Sequence, residues 1–191
     1  MKNTKIFSMA IMLFLFLVAC ENGTNNNISE SISSDNVVEV MLVSKSEETR
    51  GYCLDIAGGK GNTAPLDKGL QAHTCYSYTG NILEDQGFNS AFISKGEFKI
   101  SYFDVCMSAS SFTQGATLLL AKCDQSDAQK FTLKTNGQLV SQMSPELCVT
   151  VNNTQKKEGR GGSPVHVMRP ISLEPCEDSK HIYQQWLINE I

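Results

Sequence analysis

Apolar positions are distributed in three unlike ways along the chain. From Ile6 to Ala19 they run together, broken only by Ser8, behind the basic residues Lys2 and Lys5. This run is shorter than the roughly 20 residues a bilayer-crossing helix requires. A basic start before a short apolar run predicts an export signal over residues 1–19. From 20 to 36 the chain turns to Asn, Ser and Glu without an aromatic residue. It carries too little apolar surface to fold, which predicts a disordered linker. From Val37 to the C-terminus, apolar and polar residues alternate in short pieces separated by Gly, Asn and Ser. That two-residue period predicts β-strands and a folded domain over residues 37–191.

The strand-like pieces recur in a fixed order. Cys53-Leu54-Asp55-Ile56, Cys106-Met107-Ser108-Ala109 and Cys148-Val149-Thr150-Val151 each begin a unit. A loop follows, then a second piece that ends in cysteine: Gly69 to Cys75, Gly115 to Cys123 and Pro164 to Cys176. Next comes glutamine, any residue, then a ring, as Gln86-Gly87-Phe88, Gln129-Lys130-Phe131 and Gln184-Gln185-Trp186. Strands at Phe98 to Ile100 and Leu139 to Val140 precede the second and third units, and Val37 to Val43 takes that place for the first. The period is about 40–50 residues, a range in which self-similarity defines the architecture.

The repeat organises the cysteines. There are seven, an odd number for an exported chain. Cys20 stands where the first apolar run stops, and Leu17-Val18-Ala19-Cys20 resembles a bacterial lipobox. That resemblance implies lipidation of Cys20 and an exported chain anchored to a bacterial membrane. Glu21 after the cysteine is compatible with the outer membrane, with the chain facing the periplasm or the cell surface. An ordinary export signal with a chance cysteine is the alternative. Six cysteines remain, none in a Cys-x-x-Cys pair of the kind used for zinc or redox chemistry. Export favours disulfides. Of the fifteen pairings six cysteines allow, the repeat selects Cys53–Cys75, Cys106–Cys123 and Cys148–Cys176. Each such bond stabilises by about 3 kcal/mol on the loop-entropy account.

The Cys-Leu-Asp start, the second cysteine and the Gln-x-ring element, in three copies over roughly residues 37–191, resemble the ricin-type lectins. That resemblance implies an all-β fold, a β-trefoil of three four-stranded repeats with one disulfide in each. One such unit cannot cover its own apolar face, whereas three around a pseudo-threefold axis enclose a core. Phe88, Phe131 and Trp186 are expected in that core. Gln86, Gln129 and Gln184 are expected to satisfy buried backbone groups rather than to bind ligand.

The resemblance also implies a carbohydrate site made of a carboxylate, an amide and a ring. Charge-assisted hydrogen bonds grip sugar hydroxyls, and the ring lies under the apolar face of the sugar. The aspartate two residues after the first cysteine is present only as Asp55; Ser108 and Thr150 replace it. Gln71 stands four residues before Cys75, His73 occupies the platform position two before it, and Asp85 precedes the Gln-x-ring element. The first repeat therefore carries the expected site, Asp55, Gln71, His73 and Asp85, with Tyr76 or Tyr78 as a replacement platform. The expected partner is a glycan of the galactose type. The plainer alternative is that Asp55 caps the Gly58–Gly61 turn and His73 is a surface residue.

Charge and the remaining motifs narrow the function. A net charge of −4 and a pI near 5.4 do not suit a nucleic-acid binder, which needs a basic face. The three histidines, His73, His166 and His181, lie in no metalloprotease or nucleophile motif. His166 and His181 are expected at the surface. No catalytic residue, metal site or cofactor is expected. Gly58 to Gly61 lacks the Lys-Ser or Lys-Thr of a phosphate loop, and no helix is expected there. Lys156 to Gly162 reads as an insertion in the third repeat, a solvated tip. The layout also resembles, more distantly, the cytolethal distending toxin A subunits, which implies a second possibility: a cell-binding or assembly subunit with a protein partner.

Overall fold

The alternation that begins at Val37 folds as strands, four to each repeat. The computed structural model describes residues 37–190. The expected export signal, Cys20 and the linker to residue 36 lie outside the described residues, as does Ile191. The first repeat comprises β1 (Val37–Leu42), β2 (Tyr52–Ile56), β3 (Leu70–Thr74) and β4 (Phe88–Asn89). The second comprises β5 (Lys99–Ile100), β6 (Val105–Ala109), β7 (Leu118–Lys122) and β8 (Phe131–Leu133). The third comprises β9 (Leu139–Ser141), β10 (Leu147–Val151), β12 (Val167–Pro175) and β13 (Trp186–Asn189), with the short β11 (Lys157–Glu158) inserted.

All pairs are antiparallel, and their connectivity makes a β-trefoil. Six strands close a ring. β1 pairs with β4 (Val38 opposite Phe88), β4 with β5 (Phe88 opposite Ile100) and β8 with β9 (Thr132 opposite Val140). β13 returns to β1 (Val40 opposite Ile188). Phe131 N–H donates to Gly96 C=O (2.9 Å) and Trp186 N–H to Gly137 C=O (2.7 Å), which completes the circuit. The other strands form three hairpins, β2–β3, β6–β7 and β10–β12, that cap the ring. Each hairpin is closed by the disulfide of its own repeat, Cys53–Cys75, Cys106–Cys123 and Cys148–Cys176.

Phe88, Phe131 and Trp186 lie in the core, each at most 1% exposed. Phe98 stands edge-on to Phe88 (6.4 Å) and Phe131 (6.2 Å). Burying each such side chain contributes roughly 1.5–3 kcal/mol. The glutamines of the three elements do one identical task. Gln86 Oε1 accepts from Tyr76 N–H while its Nε2 donates to Thr74 C=O. Gln129 does the same for Asp124 N–H and Lys122 C=O, and Gln184 for Glu177 N–H and Pro175 C=O. Each thus satisfies the backbone on both sides of its repeat's second cysteine, where the strand ends and the ladder no longer can.

Local departures from the alternation are short. Single helical turns, α1 (Ser90–Ile93) and α2 (His181–Gln184), occur where four residues cannot display a period. A 3-10 turn over Gly61–Thr63 also forms where no helix was expected. Gly69 opens β3 at φ +69°, and a Cβ there would stand 2.5 Å from Leu118 C=O. Only glycine lets the first and second repeats approach this closely.

Candidate functional site

The β2–β3 hairpin brings Asp55 and Gln71 directly opposite each other, and Cys53 opposite His73. Gln71 Nε2 donates to Asp55 Oδ1 (2.7 Å), and Gln86 Nε2 donates to Asp55 Oδ2 (2.9 Å). Both carboxylate oxygens are thereby aimed and held. Asp55 makes these bonds rather than capping the Gly58–Gly61 turn. The Asp85 backbone carbonyl accepts from Ile56 N–H (3.1 Å), which ties the Gln-x-ring element to the end of β2. The four residues singled out in the sequence therefore gather in one place. Gln71 is half-buried, and Asp55, His73 and Asp85 are buried.

Burial dominates the electrostatics. It raises the Asp55 carboxyl well above its ordinary range, and the neighbouring Asp85 raises it further. Asp85 is raised too, first by burial, and neither of its side-chain oxygens has a hydrogen-bond partner among the described residues. An unpaired buried carboxylate is costly, so the neutral form is favoured. His73 is pushed down to about 4 by burial and is neutral at neutral pH. Its Nδ1 lies 2.7 Å from Thr74 C=O. A carbonyl only accepts, so Nδ1 carries the proton and Nε2 does not.

The ring at His73 is one of a stack. Tyr76 packs face-on against it (5.2 Å between centroids, 29° between planes). His166 stands edge-on to His73 (5.2 Å) and Tyr76 (5.1 Å) and lies 2.7 Å from the Tyr78 hydroxyl through Nε2. The sequence places His166 at the surface; the structure overturns this, for it is only 6% exposed. His181 is exposed.

The cause is the insertion in the third repeat. Its side chains face solvent over residues 155–165, apart from the half-buried Gly159. Its base is nonetheless a hairpin, with Lys157 opposite Met168 and Glu158 opposite Val167. The far end returns over the first repeat. Gly162, at φ +87°, leaves room for the His166 ring, whose Cδ2 a Cβ would meet at 2.5 Å. Arg50 clamps this strap by donating to Pro164 C=O (2.7 Å) and Val165 C=O (2.9 Å). The same guanidinium grips Glu48 in a bidentate pair at 2.8 Å and holds that carboxyl below its ordinary range. Contacts so distant in sequence leave no periodic signal, which is why Arg50, Glu48 and His166 escaped sequence reasoning.

Residues Glu39, Cys53 and Cys75 converge closely enough to suggest a metal centre. The two sulfurs are bonded to each other, and a disulfide offers no thiolate to an ion. The arrangement around Asp55 is that of a binding site: oriented acceptors, an amide and rings. No general base stands beside a nucleophile in it.

Residues 41–169, about two-thirds of the chain, match the model of the ricin-type beta-trefoil lectin domain. Among curated proteins, no sequence match is found. Solved structures share the fold at low identity. An agglutinin from Abrus precatorius superposes with a TM-score of 0.51 at 15% identity, covering 82% of this chain and 48% of the agglutinin, so the chain spans about half of that relative. The C-half of an earthworm R-type lectin, solved in complex with GalNAc, gives 0.51 at 12% identity, covering 81% of this chain and 98% of that one. A chain of the cytolethal distending toxin from Actinobacillus actinomycetemcomitans gives 0.50 at 17% identity, covering 81% and 90%.

Proposed function

The chain belongs to the ricin-type beta-trefoil lectin domain family, and on that premise we propose that it is a carbohydrate-binding module that takes a galactose-type terminal sugar at its first repeat. The observation that carries this reading is Asp55, the only carboxylate at its position in the three repeats, held by Gln71 and Gln86 beside the His73 ring. Its remaining lone pairs accept from adjacent sugar hydroxyls, and the rings of His73 and Tyr76 meet the apolar face of the sugar. Because His166 now covers those rings, the sugar displaces the strap on entry. Breaking the Arg50 clamp then lowers the cost of binding. In this reading the module is held at a bacterial membrane through a lipid on Cys20. Many copies there convert weak single-site affinity into avidity.

A glycan-array screen of the full-length oxidised protein, with Asp55→Asn and Arg50→Ala alongside, tests the reading. Galactose-terminated glycans are expected to bind, to lose at least about tenfold with Asp55→Asn, which turns an acceptor into a donor facing two amide donors, and to gain with Arg50→Ala. Binding that Asp55→Asn leaves untouched places the site elsewhere. A blank array from a folded protein removes the glycan reading and turns the search toward a protein partner.

A further inference from the structure

The strand register makes the three caps directly comparable. Asp55, Gln71 and His73 of the first repeat correspond to Ser108, Leu119 and Ala121 of the second, and to Thr150, Ser172 and Glu174 of the third. In the second repeat these positions offer neither a carboxylate nor a ring. In the first, the space above Asp55 is filled by Tyr76 and His166. In the third, Thr150 is shorter than aspartate and Ser172 shorter than glutamine, and a cavity of about 160 Å³ opens to solvent. Thr150, Asn153, Ser172, Glu174, Lys180 and Tyr183 line it.

We propose that this third-repeat cavity is a second glycan site, for a neutral pyranose, in which the carboxylate comes from Glu174 rather than from the start of the hairpin. Its floor is already satisfied: Thr150 Oγ1 donates to Cys148 C=O (2.8 Å) and accepts from Gln184 Nε2 (3.0 Å). This repeats the grip of Gln86 on Asp55 and leaves the binding groups to the walls. Ser172 Oγ donates to Glu174 Oε1 (2.7 Å) and fixes that carboxylate. Oε2 is unengaged among the described residues and accepts from a sugar hydroxyl.

Lys180 gives one N–H to Glu177 (2.8 Å) and keeps two as donors. The Asn153 amide, exposed on the rim, offers both a donor and an acceptor. The Tyr183 hydroxyl is tied to Glu47 Oε1 (2.8 Å), which locates the ring in the cavity wall, where it supplies apolar surface. Acceptor, donors and ring together match vicinal hydroxyls above an apolar sugar face. One carboxylate against one ammonium gives no net attraction for an anion, and Glu174 repels an acidic sugar. The site uses none of the first-repeat residues and does not depend on that site being open.

Nuclear magnetic resonance titration of the labelled full-length protein tests the proposal. The probes are methyl β-galactoside, methyl β-glucoside, N-acetylgalactosamine and N-acetylneuraminic acid, and the variants are Glu174→Ala, Asn153→Ala and Asp55→Asn. At least one neutral sugar is expected to shift Thr150, Asn153, Glu174 and Tyr183. Affinity there should fall at least tenfold with Glu174→Ala and severalfold with Asn153→Ala, an exposed position whose change spares the fold. Asp55→Asn should leave these shifts in place. Shifts confined to the first repeat, unchanged by Glu174→Ala, overturn the third-repeat site and leave the first-repeat reading standing. Shifts confined to the third repeat do the reverse. Preference for N-acetylneuraminic acid overturns the neutral-sugar assignment, and a folded protein that no probe shifts overturns both sites.

Discussion

Replacing Asp85 with asparagine should stabilise the protein, and by more as the pH rises. Asp85 is completely buried, beside a second buried carboxyl, and neither of its oxygens is hydrogen-bonded among the described residues. Burial raises its carboxyl above the ordinary range. The folded state therefore holds the proton longer than the unfolded chain. The fold keeps its full stability below the unfolded carboxylate pKa of about 4 and loses it as pH climbs through the raised folded value. An asparagine is nearly the same shape, does not ionise, and ends the repulsion of Asp55. A buried unsatisfied polar group costs about 1–3 kcal/mol, more when charged. The expected gain at pH 8 is therefore about 1–3 kcal/mol, read as a rise in Tm of roughly 2–4 °C for each kcal/mol in a domain of this size. Urea and thermal melts of both proteins between pH 4 and 8 measure it, and the two curves should converge at pH 4. A variant that is less stable at every pH, or a gain that does not change with pH, refutes the argument that an ionising Asp85 carboxyl limits stability here.

His73 should impose the opposite slope. Burial lowers it from 6.5 to about 4, so its contribution is complete above pH 6.5 and is lost as pH falls toward 4, up to about 3 kcal/mol. His73→Phe, which keeps a ring without the titration, should flatten that acid limb in urea midpoints. A limb that persists would assign it to another group. Gln129→Ala strips the partners from Lys122 C=O and Asp124 N–H, a pair of bonds at 2.8 and 3.0 Å. Leaving both unsatisfied should cost roughly 2–5 kcal/mol in equilibrium unfolding. A cost well under 1 kcal/mol would mean that water replaces the side chain there.

Two features of the first repeat show where legibility stopped. Asp55, Gln71, His73 and Asp85 could be selected from the sequence because each keeps a fixed distance from a cysteine or from the Gln-x-ring element, and those landmarks fix strand register. That they are buried could not be read. Their covering comes from the insertion in the third repeat, which resembled a solvated tip because almost all of its side chains are polar or small. His166 looked like a surface histidine for the same reason. Arg50 and Glu48 sit in a loop without a period, and the strap carbonyls that Arg50 holds lie more than a hundred residues away.

The sequence by itself determined the repeat, the strands, the disulfide partners and the ring residues of the core. Alternation, spacing and cysteine order are local properties that survive in one dimension. Only the tertiary structure decided which site is open. The first repeat carries the expected chemistry beneath a strap from the third, while the third carries a cavity with its carboxylate one pair further along the hairpin. Access depends on what packs across a pseudo-threefold axis, and packing between residues far apart in the chain obeys shape and charge, for which sequence spacing holds no record.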